Sequence, residues 1–146
     1  MKIINKKAFH DFEILETYET GLVLNGAEVK SVRSGRMSLE GAFVRIIGSE
    51  IYLVNAQIFP YAYARPENYD PKRSRKLLMH KREITSLKSK LSADRLTLLP
   101  LECYNSQSFL KLKIGLARGR KQYEKREKLK KKAVVRDIER ALKSKP

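Results

Sequence analysis

The sequence predicts a mainly β fold, an antiparallel β-barrel with two or three peripheral helices and a basic C-terminal tail. Three observations predict it: short β-prone runs bounded by turn residues, two segments with helical signals, and a rise in positive charge after Ala117. A chain of 146 residues is long enough for one domain with a modest core. We therefore expect a folded body over residues 1–117 and a tail over residues 118–146.

The first predicted strand is Phe9 to Tyr18, which alternates over part of its length. Its inward face would carry Phe12, Ile14 and Glu16, and Thr20-Gly21 would then form a turn.

Two hairpins follow from the spacing of β-prone runs. Ala42 to Ile47 and Ile51 to Ala56 lie on either side of Gly48-Ser49-Glu50, and Leu96 to Tyr104 and Phe109 to Ile114 lie on either side of a polar loop. The last run has a period of two, which predicts one apolar face toward the core and one lysine face toward solvent.

Two helices are expected between the strands. Asn25-Gly26 precedes a short helix over Ala27 to Arg33, and Asp70-Pro71 opens a longer one from about Arg73 to Leu91. The longer segment carries a stripe expected to pack on the barrel: Leu77, Ile84, Leu87 and Leu91. Five or six short strands with inserted helices favour a barrel of the oligonucleotide-binding type.

Positive charge is in large excess and unevenly distributed. The chain has 32 Lys and Arg against 16 Asp and Glu, a formal charge of +16, which favours a polyanionic partner. Residues 118–146 alone carry 13 basic and 4 acidic residues. Such a tail buries too little apolar surface to fold alone, so we expect it to be disordered when free and helical on an anionic surface. A purely solubilising role is the alternative.

Signals for other classes of protein are weak. Cys103 is the single cysteine and is expected to be a buried, reduced thiol rather than a nucleophile. No cluster of metal ligands, phosphate-binding loop or membrane-spanning run is present in the sequence, and the N-terminus becomes polar too soon for a signal peptide. We expect a cytoplasmic protein without metal or cofactor. An amphipathic membrane-binding tail is disfavoured because it lacks Trp and Phe.

A first basic cluster lies between Asp70 and Glu83, a stretch without other acids. Its cations, expected at a helix N-terminus that would also attract phosphate, are Lys72, Arg73, Arg75, Lys76 and Lys81. A solvated basic face is the alternative reading.

A second basic cluster starts at the end of the last predicted strand. Arg118, Arg120 and Lys121 surround Gly119, which permits close backbone approach, and Tyr123 can stack on a base. Cations with an interleaved aromatic residue are typical of proteins that bind RNA loops.

Four stretches together resemble the SsrA-binding protein family (small protein B). They occur in the family's order and span nearly the whole chain: Asn5–Ala8 with His10–Glu16, Gly26–Arg33, Glu67–Pro71 with Arg73–Ile84, and Gly115–Arg126.

The resemblance implies a non-enzymatic adaptor in trans-translation. Family members bind the tRNA-like domain of transfer-messenger RNA and bring it to the A site of stalled ribosomes, where the tail enters the messenger channel of the small subunit as a helix. Elongation factor Tu and alanyl-tRNA synthetase are further candidate partners, and a monomer is expected. By resemblance, Asn5, Glu28 and the basic residues near Arg118 contact the tRNA-like domain, and Glu28 would accept hydrogen bonds from base amino groups. The alternative is that Glu28 only pairs with Lys30 or Arg33.

Residue patterns and resemblance together give two predicted sets. The RNA-binding set is Asn5, Glu28, Lys30, Arg33, Arg73, Arg75, Lys76, His80, Lys81, Lys113, Arg118, Gly119, Arg120 and Lys121. The ribosome-binding set in the tail is Tyr123, Glu124, Lys125, Arg126, Lys130, Lys131, Lys132 and Arg136.

Two other functions remain open at the level of sequence. A ribosomal protein with a basic extension would have the same charge pattern. A small ribonuclease could use His10 and His80 as acid and base, although hydrogen-bonded structural imidazoles are the commoner outcome.

Overall fold

The structure of the chain, a computed structural model, describes residues 1–61 and 68–120, apart from the Asp94 side chain. Its elements in chain order are β1 (Lys2–Ile4), α1 (Lys6–Asp11), β2 (Phe12–Leu22), α2 (Gly26–Arg33), β3 (Met37–Ser38), β4 (Phe43–Ile47), β5 (Glu50–Val54), β6 (Gln57–Ile58), β7 (Arg75–Leu78), α3 (Lys81–Asp94), β8 (Thr97–Ser106) and β9 (Phe109–Gly119).

The main sheet closes on itself. Strands β8, β4, β5, β7, β2 and β9 lie side by side in that order, and β9 also pairs with β8, so the sheet forms a ring. Strand β1 adds to β8 from outside the ring, β3 pairs with β6, and all of these pairings are antiparallel. The predicted antiparallel barrel with peripheral helices is confirmed.

The core fills the barrel with aliphatic side chains from alternate strand positions. Leu53 on β5 and Leu112 and Ile114 on β9 have no exposed surface, and Ile84 and Leu87 attach α3 to the same core. Each of these larger side chains contributes about 1.5–3 kcal/mol through burial.

A second, smaller core lies beside α1, next to two β-bulges. The bulges fall between Ile14 and Glu16 on β2 and between Pro100 and Glu102 on β8. Leu99 and Leu101, two residues apart on β8, both pack with Ala8 of α1. Gly115 lies where these strands approach most closely, because a Cβ there would sit 2.8 Å from a Leu101 methyl carbon.

Several local predictions are confirmed. Helix α2 starts after Asn25, whose side chain caps it, and the hairpins β4–β5 and β8–β9 form as expected. Gly48 takes a positive φ of 63° in the first hairpin turn. On β9, Leu110, Leu112 and Ile114 face the core.

The helix predicted from about Arg73 to Leu91 is wrong in its first part. Residues Arg75–Leu78 form strand β7 between β5 and β2, and α3 begins only at Lys81. On β7 burial alternates, with Arg75 and Leu77 inside and Lys76 and Leu78 outside. The seven-residue spacing between Leu77 and Ile84 equals about two turns of α-helix, which is why the pattern predicts both residues on one helix face.

The strand predicted from Phe9 also begins too early. Residues Lys6–Asp11 form α1, because the Asn5 side chain accepts a hydrogen bond from the Ala8 amide and caps the helix. The bulge at Leu15 leaves Glu16 exposed rather than on the face of Phe12 and Ile14. Thr20-Gly21 makes no turn, since β2 continues through both residues to Leu22.

Candidate nucleic-acid interface

A buried carboxylate lies at the centre of the most extensive polar network. Glu28 is in the first turn of α2 and is 1% exposed. Its Oε1 accepts a hydrogen bond from the Asn25 amide at 3.3 Å, while the Asn25 side chain accepts one from the Glu28 amide at 2.9 Å. This reciprocal capping box fixes the position of the carboxylate.

Strand β7 and the residues just before it bring two guanidinium groups to this carboxylate. The fully buried Arg75 donates to Glu28 Oε2 from Nη2 at 2.7 Å and from Nε at 3.1 Å, and Arg73 pairs with Oε1. Arg75 also donates to the Ala56 carbonyl at 2.7 Å. The Tyr69 hydroxyl lies 3.1 Å from Glu28 Oε2. The network therefore ties α2 to β7 and to the segments around Ala56 and Tyr69.

The network keeps Glu28 ionised. Burial by itself would raise the pKa of Glu28, but the hydrogen bonds from Arg73 and Arg75 outweigh it and hold this pKa below its ordinary value. Burial and the nearby Glu28 charge raise the pKa of Tyr69.

Three predicted RNA-binding residues have buried side chains and do not fit direct contact. The Glu28 carboxylate is used by Arg73 and Arg75 rather than by the expected Lys30 or Arg33, and Arg75 has no exposed surface. Asn5 is 4% exposed and donates to the carbonyls of Leu39 and Pro100. All three side chains hold the framework together.

Other members of the predicted set lie on the surface near α2. Lys30 is exposed, with its Nζ 5.5 Å from the centre of the Tyr61 ring. Arg33 is exposed and donates to the Ser108 carbonyl at 3.1 Å, which places α2 beside the tip of the β8–β9 hairpin. The Arg73 side chain is 40% exposed although it pairs with Glu28.

The first basic cluster does not form the expected helix N-terminus. Arg73 precedes β7, and Lys76 points outward from the strand and pairs with Glu50 at 3.3 Å. Only the C-terminal part of the cluster reaches α3: His80 is the N-cap, without a side-chain capping bond, and Lys81 is the first helical residue.

The second basic cluster begins within the barrel. Strand β9 extends to Gly119, so Arg118 and Gly119 belong to it, and Arg118 pairs in register with Glu13. The Arg120 amide donates to the Asp11 carbonyl at 2.9 Å, which brings this end of the strand to α1. Lys121 and the predicted ribosome-binding residues, from Tyr123 to Arg136, lie outside the described residues.

Sequence reasoning missed a mixed apolar and charged groove on the outside of the barrel. It has a volume of about 770 Å³ and lies between β2, β7, the start of α3 and β9. Leu78 and Phe109 line it and are 57% and 66% exposed, and the charged side chains of Glu19 and Lys111 lie along the same groove. Once β7 is read as a strand, its period of two places Leu78 outside.

Polar contacts order one wall of this groove. Glu19 pairs with Lys111 at 3.3 Å and accepts a hydrogen bond from the Tyr104 hydroxyl. The contacts from Tyr104 and then Lys111 lower the pKa of Glu19, whereas burial and the Glu19 contact raise the pKa of Tyr104 to about 12. The predicted residue Lys113 lies on β9, two residues after Lys111, and pairs in register with Glu19 on β2. The wall thus presents fixed donors and acceptors.

Residues 1–61 and 68–120 contain no cluster of side chains arranged to hold a metal ion. The helices in this part of the chain are too short or too polar to cross a bilayer. His10 lies in the last turn of α1, with Nδ1 2.8 Å from the Asp11 carboxylate. The predicted burial of Cys103 is confirmed, and burial raises the pKa of its thiol to about 12.

A family comparison decides the relationship. The family model described as "SmpB protein" matches residues 2–144. The chain belongs to the SmpB family. The expected resemblance is therefore confirmed over almost the entire chain.

Relatives agree with this assignment. The chain is 49% identical over 140 residues to an SsrA-binding protein of Carboxydothermus hydrogenoformans, covering 96% of this chain and 94% of the relative. It is 50% identical over 137 residues to that of Bacillus cytotoxicus, covering 94% and 88%. A solved structure described as "tmRNA-SmpB: a journey to the center of the bacterial ribosome" has a TM-score of 0.69 and 48% identity, covering 91% of this chain and 94% of that chain.

Proposed function

We propose that this protein is an RNA-binding adaptor that binds the tRNA-like domain of transfer-messenger RNA. It delivers that RNA to stalled ribosomes for trans-translation, in which the ribosome is rescued and the nascent peptide is tagged. Membership of the SmpB family and the names of the relatives support this function.

The structural observation that carries the proposal is the outer groove between β2, β7 and β9. A folded RNA loop offers flat apolar bases, hydrogen-bonding edges and phosphates. Leu78 and Phe109 supply exposed apolar surface for bases, Lys111 supplies a cation, and Glu19 supplies an acceptor for base amino groups.

Further surface residues, some beside the groove and some at the far end of β9, extend the proposed RNA surface. Arg33 lies next to the hairpin tip that also carries Phe109. The surface residues that we assign to RNA binding are Lys30, Arg33, Arg73, Lys76, His80, Lys81, Lys113, Arg118, Gly119 and Arg120. Asn5, Glu28 and Arg75 act from inside by positioning the elements that carry them.

The remaining parts of the proposal concern the ribosome and other partners. Lys121 keeps its predicted role in RNA binding. The tail residues proposed to enter the empty messenger channel of the small subunit are Tyr123, Glu124, Lys125, Arg126, Lys130, Lys131, Lys132 and Arg136. Elongation factor Tu and alanyl-tRNA synthetase are proposed as further partners. We propose a cytoplasmic monomer that catalyses no reaction itself.

The groove is tested by the affinity of the protein for a transcript of the tRNA-like domain. Leu78→Ala and Lys111→Ala should each weaken binding about tenfold, because each removes a contact worth roughly 1–2 kcal/mol. Ile47→Ala and Lys88→Ala are matched controls, since Ile47 is 59% exposed and Lys88 is an exposed lysine on α3. Equal affinity of all four variants and the parent would contradict the proposed site.

A further inference from the structure

A second surface, separate from the groove, combines one exposed and two partly buried aromatic residues with cations. Phe59, Pro60, Tyr61 and Tyr69 line a shallow pocket together with the first turn of α2. Phe59 is 38% exposed, so one side of its ring is open to a ligand.

The backbone that carries Phe59 is fixed on both sides. Its amide donates to the Arg36 carbonyl at 3.1 Å, and its carbonyl accepts a hydrogen bond from the Ser31 hydroxyl at 2.7 Å. The preceding Ile58 carbonyl lies 3.0 Å from the Tyr69 hydroxyl, which also belongs to the Glu28 network. The ring is therefore presented by a rigid support, which lowers the entropy cost of binding through it.

The charge around the ring is positive. Arg36, whose carbonyl binds the Phe59 amide, has an exposed side chain, and Lys30 is exposed beside Tyr61. Among the described residues that line the pocket, the one carboxylate is Glu28, and it is already neutralised by Arg73 and Arg75. An apolar peptide would gain little from these cations, whereas an unpaired nucleotide matches both the ring and the charge.

We propose that Phe59 is a stacking site for one unpaired base of the bound RNA, with Arg36 and Lys30 contacting the adjacent phosphates. The site deepens the proposed function and rests on it, since the same RNA would reach from the groove across Arg33 to α2. The site needs both kinds of side chain. The Phe59 ring selects an unstacked base, and Arg36 and Lys30 attract phosphates without sequence preference.

The experiment measures the dissociation constant of the full-length protein for a transcript of the tRNA-like domain at several salt concentrations. Phe59→Ala should weaken binding about tenfold with little change in the slope of log affinity against log salt, because stacking releases few ions. Arg36→Gln should instead reduce that slope by about one. Phe59→Tyr, which keeps the ring, should bind within about twofold of the parent.

Two controls separate stacking from folding. Phe43→Ala removes a ring of equal exposure, 38%, from the start of β4 and should leave the affinity unchanged. Phe59→Leu keeps apolar volume without an aromatic face and should lose as much affinity as Phe59→Ala. Full affinity of Phe59→Leu, or equal loss in Phe43→Ala, would overturn the stacking site.

The outcomes also distinguish this site from the proposed function. If Leu78→Ala weakens binding and Phe59→Ala does not, the stacking site is wrong and the groove stands. If the parent protein does not bind the transcript, both proposals are overturned.

Discussion

The carboxylate of Glu28 and the guanidinium of Arg75 form a fully buried ion pair, joined by hydrogen bonds of 2.7 and 3.1 Å. This ion pair joins helix α2, which lies outside the ring of strands, to strand β7, which belongs to it. Because the surface cations Lys30 and Arg33 lie on α2 and Arg73 comes two residues before β7, the pair holds the proposed RNA surface in shape.

Breaking this pair should destabilise the protein strongly. Glu28→Gln leaves Arg75 buried without its counter-charge and should lower the free energy of unfolding by about 3–5 kcal/mol. Urea or thermal denaturation measures this loss. Glu40→Gln is the matched control, because the Glu40 side chain is 68% exposed and its ion pair with Lys7 should contribute less than about 1 kcal/mol. Similar losses for the two variants would refute the structural role of Glu28.

The same pair predicts a dependence of stability on pH. The folded-state pKa of Glu28 lies below its unfolded value of about 4.3, so ionised Glu28 favours the folded state. This stabilisation is complete above the unfolded pKa and is lost as the pH falls through the folded pKa. The difference in unfolding free energy between the parent and Glu28→Gln should therefore shrink in acid. A difference that is constant from neutral pH to about pH 3 would contradict the assignment.

The thiol of Cys103 should be unreactive in the folded protein. The side chain is fully buried on β8 and its pKa is about 12, so the nucleophilic thiolate is scarce near neutral pH. An aromatic disulfide reagent at pH 8 should modify the native protein only at the rate of unfolding and the denatured protein at once. Rapid modification of the native protein would show that this strand opens readily.

The folded body should be sufficient for RNA binding, whereas ribosome rescue should also require the tail. Deleting residues 125–146 should leave affinity for the tRNA-like domain within roughly fivefold, since the groove and α2 are intact and only diffuse tail charge is lost. The same deletion should abolish rescue of ribosomes stalled on messages without a stop codon in a reconstituted translation assay. Equal loss of RNA binding and rescue would show that the two functions are not separable.

Features of the fold that neighbouring residues determine could be predicted from the sequence, whereas features that depend on distant residues could not. The Asn25-Gly26 start of α2 and the Gly48 turn are encoded by neighbouring residues, and both were predicted correctly. Strand β7 was mistaken for helix because Arg75 faces inward, and a charged residue at a core position hides the two-residue period. A buried arginine is tolerated at position 75 because its guanidinium pairs with the carboxylate of Glu28, which is 47 positions away in the sequence.

The candidate site was predicted in composition more than in geometry. The basic clusters around Arg73 and Arg118 could be predicted to bind phosphate from the sequence, because recognising their charge needs no knowledge of packing. The groove was not readable, since Glu19, Leu78 and Lys111 meet only after β2 pairs with both β7 and β9. A β-bulge also changes the face of the sheet on which the following side chains lie. The extra residue that causes it, here Leu15, cannot be recognised from a single sequence.

The most direct test of the central claim is to purify the protein from its own cells and sequence the RNA that accompanies it. The proposed adaptor should carry transfer-messenger RNA, enriched far above its share of cellular RNA, and ribosomes only where they are stalled. Recovery of ribosomal RNA in equal amount from all ribosomes, without enrichment of transfer-messenger RNA, would contradict it and favour a structural ribosomal protein.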